Sequence, residues 1–262
     1  MILLYESKDA QRNSGFIQEL QAFGDFELVE WDDWSQEGML QLSEKLTGSL
    51  VLFRARRPAA ARFLEDRGIY MVNRAEVNRV ANDKWQTHQL FLLLGVPVIP
   101  TYREAQNFPC IVKSIDGHGG EQVVKIESQD EMPDFGANVI FQPVIGHVAD
   151  VRAYVIGNEI VGAVKRSSAD GFKANYSLGA SVEKFVVTAA QAKDVLRIAR
   201  ALNCDYVGID FLLLPDGQHV FNEIEDPVGA RSFYETHDEN IAEIVVNHLK
   251  QLEKLAPFRK KE

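Results

Sequence analysis

YVGIDFLLLPDGQHVFNEIEDPVGA, residues 206–230, reads as a β-hairpin that carries three acids on one face. Asp216-Gly217 is the pair preferred in a two-residue type I′ turn. With that turn, Pro215 faces Gln218, and the register places Asp210 opposite Glu223. Side chains alternate along a strand, so Glu225 falls on the same face. Facing carboxylates repel and destabilise a strand pair. Both strands are strongly apolar, which shields this face from free water. Either one acid is protonated or a cation sits among them. Three convergent carboxylates suit Mg²⁺, which completes its shell with water and substrate phosphates. A partly solvated hairpin with acids on its wet side is the weaker reading, because Asn222 and Asp226 add polar groups where an apolar strand should end.

Upstream, residues 1–82 alternate short apolar runs with helical patterns. The runs are 2–5, 26–31, 50–53 and 69–72; between them lie Phe16, Leu20 and Phe23, then Met39, Leu42 and Leu46, then 60–64. Such alternation predicts an α/β lobe with a parallel sheet. It has no GxGxxG fingerprint, so no dinucleotide is assigned to it. Arg54, Arg56 and Arg57 follow the third run, where open α/β sheets bind ligands. A solvated loop before the Pro58 helix start is the favoured reading, with contact to an anionic substrate the alternative.

Asn82 or Asp83 can cap a helix running to Leu94, ended by Gly95 and Pro97. Strand and turn patterns then mark a small lobe over 100–144. A hairpin over 150–165 turns at Gly157-Asn158, a helix spans 189–202, and a closing helix spans 237–255 before a frayed tail.

Within the small lobe, Lys113 lies in an apolar strand that runs into Asp116-Gly117-His118-Gly119-Gly120. A glycine-rich turn lets backbone N–H groups wrap a phosphate. Alone this signal is weak, since such turns are common. Lys165 and Arg166 end another strand, with Lys173 and Asn175 shortly after. Polyphosphate beside Mg²⁺ requires such cations, so the acids and the cations support each other.

The 262 residues carry a formal net charge of −10, which argues against a general nucleic-acid or membrane-surface partner. The two cysteines form no metal or disulfide pattern, which fits a reducing compartment. MILLYESK lacks the basic lead and apolar length of a signal sequence, and no segment approaches bilayer length. A soluble cytoplasmic protein is expected, with a homo-oligomer left open.

The order of segments resembles the ATP-grasp superfamily, and within it the ribosomal-protein-S6 glutamate ligases and glutathione synthetases. The carrying strings are NDKWQTHQL, IVKSIDGHGGEQV, FQPVIGHVADVRAYVIG, GAVKRSS with FKANYSLGA, VGIDFLLL and FNEIEDPVG. None is specific alone; their order is. The resemblance implies a Rossmann-like pre-ATP-grasp lobe at 1–82, a linker helix and central lid lobe at 83–145, a C-terminal mixed-sheet lobe with the metal site at 146–256, and a tail at 257–262.

It also implies roles. Lys84 and Lys113 match the lysines on the α- and β-phosphates. Gln142, Val144 and Ile145 match the adenine linker, Asp150 the acid on the ribose hydroxyls, and Gly117, Gly119 and Gly120 the phosphate flap. Arg152, Lys165, Arg166 and Asn175 fall where the family gathers groups around the γ-phosphate, and Asp210, Glu223 and Glu225 match the metal ligands. Three departures stand out. Glu225 replaces the usual asparagine, Pro143 replaces an acid in the linker, and Ser177 replaces an arginine of the related ligases. The GHGGE flap is also slightly short.

The implied reaction uses ATP and Mg²⁺, two ions by analogy, with Mn²⁺ as a substitute. A carboxylate of an amino acid or peptide becomes an acyl phosphate, and an amine displaces the phosphate. No protein nucleophile is needed, because positioning and charge neutralisation carry phosphoryl transfer. Fold alone does not separate this ligase from a kinase on the same scaffold; a non-catalytic nucleotide-binding protein is the weaker alternative, because the full set of cations and acids is present.

Overall fold

The computed structural model describes residues 1–117, 122–167 and 181–255. The first lobe holds β1 (Ile2–Tyr5), β2 (Glu27–Glu30), β3 (Leu50–Phe53) and β4 (Tyr70–Val72), parallel in the order β2-β1-β3-β4. The central strands β1 and β3 are buried at every position, as a parallel sheet covered on both faces requires. Around it lie α1 (Ser7–Arg12), α2 (Ser14–Phe23), α3 (Gln36–Leu46), α4 (Pro58–Asp66) and α5 (Ala75–Ala81). The sequence pattern missed α1 and α5. In α1 only Ala10 is buried, so it has no apolar period to read.

Next comes α6 (Lys84–Leu94), where Asp83 accepts a bond from Gln86 N at 2.9 Å and so caps the helix as expected. The small sheet holds β5 (Cys110–Ser114), β6 (Val123–Ile126) and β7 (Val139–Pro143), antiparallel in the order β6-β5-β7. Its core of Cys110, Val112, Ile126, Val139 and Phe141 is a cluster of its own.

The third sheet runs β10-β9-β8-β11-β12 and is antiparallel throughout. Its strands are β8 (Ala149–Ile156), β9 (Glu159–Ser167), β10 (Ser181–Lys184), β11 (Tyr206–Leu213) and β12 (His219–Glu225). The helices α7 (Ala189–Ala201), α8 (Arg231–Thr236) and α9 (Ile241–Leu255) complete the chain. One face packs on α6 and α7, where Phe91 and Val195 join Phe211 and Phe221. The other merges with the first lobe: Leu3, Tyr5 and Leu20 share one cluster with Tyr154, Tyr206, Phe233 and Val245.

The acid hairpin reaches its expected register by an unexpected route. Leu214 N–H bonds Gln218 O at 2.8 Å, and Gly217 N–H bonds Leu214 O at 2.9 Å. Gly217 has φ 82°, so Pro215, Asp216 and Gly217 form a longer loop with glycine at its left-handed position. Leu213 therefore pairs with His219, one residue out of the expected step. A bulge at Asn222 then shifts the ladder between Phe211 and Asp210, and the two deviations cancel. Asp210 pairs with Glu223.

Candidate active site

A cleft of about 890 Å³ runs between the three sheets. Glu223 and Glu225 line it, and Asp210 lies directly behind them at 1 % exposure. One carboxylate oxygen from each of Asp210, Glu223 and Glu225 lies within 4.8 Å of the others. The required cation is present as arginine. On β8, Arg152 donates from Nε and Nη2 to the two oxygens of Asp210, each at 2.7 Å, and from Nη2 to Glu225 at 3.0 Å. On β9, Arg166 Nη2 reaches Asp210 at 2.7 Å, and its Nε reaches Asp150 at 3.0 Å. The first lobe contributes Arg56, whose Nη2 meets Glu225 at 3.2 Å.

Register explains this gathering. Asp210 pairs with Arg152 across β11 and β8, and Asp150 pairs with Arg166 across β8 and β9. Gly208 makes room for the Arg152 stem: a Cβ there would sit 3.1 Å from its Cδ and 2.8 Å from Val228 Cγ2. Burial pushes the Asp210 pKa up, and the two arginines outweigh it, bringing the group down to about 2. Asp150 is raised, chiefly by burial against the pull of Arg166.

Glu223 differs from its neighbours. Among the described residues no hydrogen bond reaches its carboxylate. Burial raises its pKa; Lys84 opposes this, and the charges of Glu225 and Asp210 add to it. It is thus the acid with the most to gain from a cation. Asp210 has about four lone-pair positions, and the arginine bonds leave it room for one more partner. This oxygen-only donor set fits Mg²⁺.

Lys113 stands opposite on β5, with Nζ 2.9 Å from Asn222 Oδ1. The bulge makes Asn222 the extra residue of β12 and leaves it in the cleft. Burial pushes the Lys113 ammonium down to about 8, with Glu223 opposing the shift. Lys84, the first residue of α6, donates to Gly117 O. Gln142 Nε2 bonds Thr101 Oγ1 at 2.9 Å, so its side chain is committed within the protein. Val144 and Ile145 follow it along the cleft, with Ile99, Ile111 and Leu212 as apolar walls.

Two readings need correction. Lys165 does not enter the cleft. It pairs across β8 with Val151, on the face opposite Asp150 and Arg166, and bonds Glu183 at 2.8 Å. Nor do the first-lobe arginines all lie in a solvated loop: Arg57 is exposed as that reading expects, but Arg56 is only partly exposed and Arg54 is buried. Arg54 is 4 % exposed, donates to Val228 O at 2.7 Å and lies 5.5 Å from the Phe16 and Tyr206 ring centroids. Arg57 bonds Glu6 at 2.7 Å. Gly119, Gly120 and Asn175, with His118, Lys173 and Ser177, lie outside the described residues.

The sequence alone gives Asp226 no role beyond a polar residue at the strand end. Its carboxylate accepts from Asn73 at 2.8 Å and Asn78 at 3.0 Å, and its backbone oxygen accepts from Asn82 at 2.9 Å. Asn78 and Asn82 lie four apart, a helical spacing that could have shown them sharing one face.

A family model described as the RimK-like ATP-grasp domain matches residues 95–249, which include both lysine-bearing β5 and the acid hairpin. The chain belongs to the RimK-like ATP-grasp family. An uncharacterized Mycoplasma genitalium protein, MG011, is 30% identical over 280 residues, spanning 99% of this chain and 95% of that one. Human N-acetylaspartylglutamate synthase A is 26% identical over 81% of this chain, which spans 63% of that protein. Among solved structures, the ATP-grasp ligase PsnB complexed with minimal precursor, Mg and ADP superimposes with TM-score 0.68 at 16% identity, over 96% of this chain and 97% of that one. The RimK-like ATP-grasp family makes this chain an ATP-dependent ligase by class. Among the described residues, no helix is long and apolar enough to cross a membrane.

Proposed function

We propose that the chain joins a carboxylate to an amine, on amino acids or peptides, through an acyl phosphate formed with ATP. The observation that carries this reading is the acid cluster of Asp210, Glu223 and Glu225 facing Lys113 and Lys84 across one cleft. Lys84 and Lys113 would bind the α- and β-phosphates, beside Gly117. The segment Gln142–Ile145 would hold adenine between the apolar walls, and Asp150 the ribose. Asp210, Glu223 and Glu225 would hold Mg²⁺, as two ions, with Mn²⁺ able to substitute. Bound Mg²⁺ would neutralise charge on the transferring phosphoryl group.

Arg152 and Arg166 are the groups best placed to steady the developing charge, since both are held by buried acids and need no reorganisation. They would orient the substrate carboxylate toward the γ-phosphoryl and hold the acyl phosphate while the amine attacks. Asn175 is proposed for the same task. Free, buried Cys110 and Cys204 suit a reducing, cytoplasmic setting. The test is ADP release that depends on both a carboxylic acid and an amine and yields an amide. Hydroxylamine in place of the amine should trap a hydroxamate. Stimulation by a hydroxyl compound alone, with a phosphate ester as product, would identify a kinase instead.

A further inference from the structure

Beyond the acids the cleft continues toward the first lobe, and there its walls turn cationic. Lys8 and Arg12 lie four apart on α1, so they share a face. Arg231 opens α8 on the other wall. All three line the cleft and are exposed. Among the described residues, none of them pairs with a carboxylate. Their neighbours differ: Arg57 is engaged by Glu6 at 2.7 Å and Arg56 by Glu225 at 3.2 Å. Glu6 is further bound by Trp34 Nε1 at 3.0 Å, which leaves Asp9 as the acid of this end without a side-chain partner among the described residues. The whole chain has net charge −10, so these cations are a local feature and not a general one.

Tyr5 also lines the cleft, but at 1 % exposure its hydroxyl is buried beside the Arg54 guanidinium. Arg56 Nε is likewise buried and unpaired. An anionic oxygen arriving at this end would meet the three free cations that line it.

We propose that Lys8, Arg12 and Arg231 form a second anion subsite, which selects substrates by a negative group remote from the reacting carboxylate. This rests on the ligase reading only for which carboxylate reacts. A substrate with one carboxylate fills the position near Arg152. A substrate with two or more also fills the first-lobe end. Selection thus follows the number and spacing of negative charges.

The test uses tricarballylate and butyrate as probes, titrated calorimetrically into the full chain saturated with Mg²⁺ and a non-hydrolysable ATP analogue. The analogue occupies the phosphate site, so a polyanion cannot bind there. Wild type should bind tricarballylate at least tenfold more tightly than butyrate. The triple variant Lys8→Gln, Arg12→Gln, Arg231→Gln changes exposed side chains only; it should bring the two probes within about twofold, with analogue affinity unchanged. Equal binding of the probes to wild type, or a preference that survives in the triple variant, overturns the subsite. The ligase reading fails separately, if the preference behaves as expected but no acid and amine together release ADP.

Discussion

The first lobe and the small lobe both touch the acid hairpin, and they do so in opposite ways. The first lobe is fastened to it. Asn73, Asn78 and Asn82 all bond Asp226, Arg54 bonds Val228, and the two regions share one apolar cluster. The small lobe keeps its own core and reaches the hairpin through Lys113 and Asn222. Buried hydrogen bonds with no access to water resist separation, because each broken one leaves an unmet polar group. A charge contact in an open cleft exchanges readily with solvent or a ligand. The comparison teaches that buried contacts join the first lobe to the acid sheet, while the small lobe meets it with a core of its own.

The largest effect should come from Asp226→Ala. It removes one acceptor from each of the buried amides of Asn73 and Asn78, which keep only their bonds to Tyr206 O and Ala55 O. At about 1–3 kcal/mol for each unmet group, unfolding by denaturant should show a loss of several kcal/mol. A change within experimental error would mean the two lobes are not fastened there.

Lys113→Ala should act on the opposite side of the comparison. Fold stability should change little, while ATP affinity falls at least tenfold, as expected for losing one partner of a desolvated charge contact at about 2–5 kcal/mol. The pH dependence sharpens this. Burial holds the Lys113 pKa down to about 8, so the free protein loses that charge as pH rises through about 8. ATP affinity should therefore decline above that pH in wild type and stay flatter in Lys113→Arg, since arginine remains charged. For stability the sign is reversed. A lowered lysine pKa means the unfolded chain binds more protons, so this group's contribution to stability rises with pH between about 8 and its unfolded pKa. Parallel pH profiles for wild type and Lys113→Arg would remove Lys113 from the nucleotide site.

Lys165→Gln should do least. Its side chain lies on the far face of β9 with Glu183. Turnover should stay at the wild-type level and stability within about 0.5 kcal/mol. A tenfold drop in turnover would show that this strand presents its other face to substrate.

Much of this was legible in the sequence because strands alternate and hairpins have few turns to choose from. Asp210, Glu223 and Glu225 came together from parity alone, although the turn was misjudged and an unseen bulge restored the register. A bulge leaves no signal in apolar alternation beyond a polar residue out of place, here Asn222. The Lys165 error was avoidable, since adjacent residues on a strand face opposite ways and Arg166 already occupied the cleft side. Arg56 and the asparagines were beyond reach for another reason. They meet Glu225 and Asp226 across sequence separations of 144 to 169 residues, which only the packing of two lobes creates.

The most direct test is Mg²⁺ titration of nucleotide binding and ADP release in wild type and Glu223→Gln. Burial raises the Glu223 pKa above its unfolded value, so its ionised form weakens the metal-free fold at pH above that value. The amide variant should then be at least as stable as wild type at neutral pH without Mg²⁺, and should lose both the Mg²⁺ enhancement of ATP affinity and turnover. A stable Glu223→Gln protein that keeps Mg²⁺-dependent ADP release near the wild-type rate would contradict the assignment of the acid hairpin as the catalytic metal site.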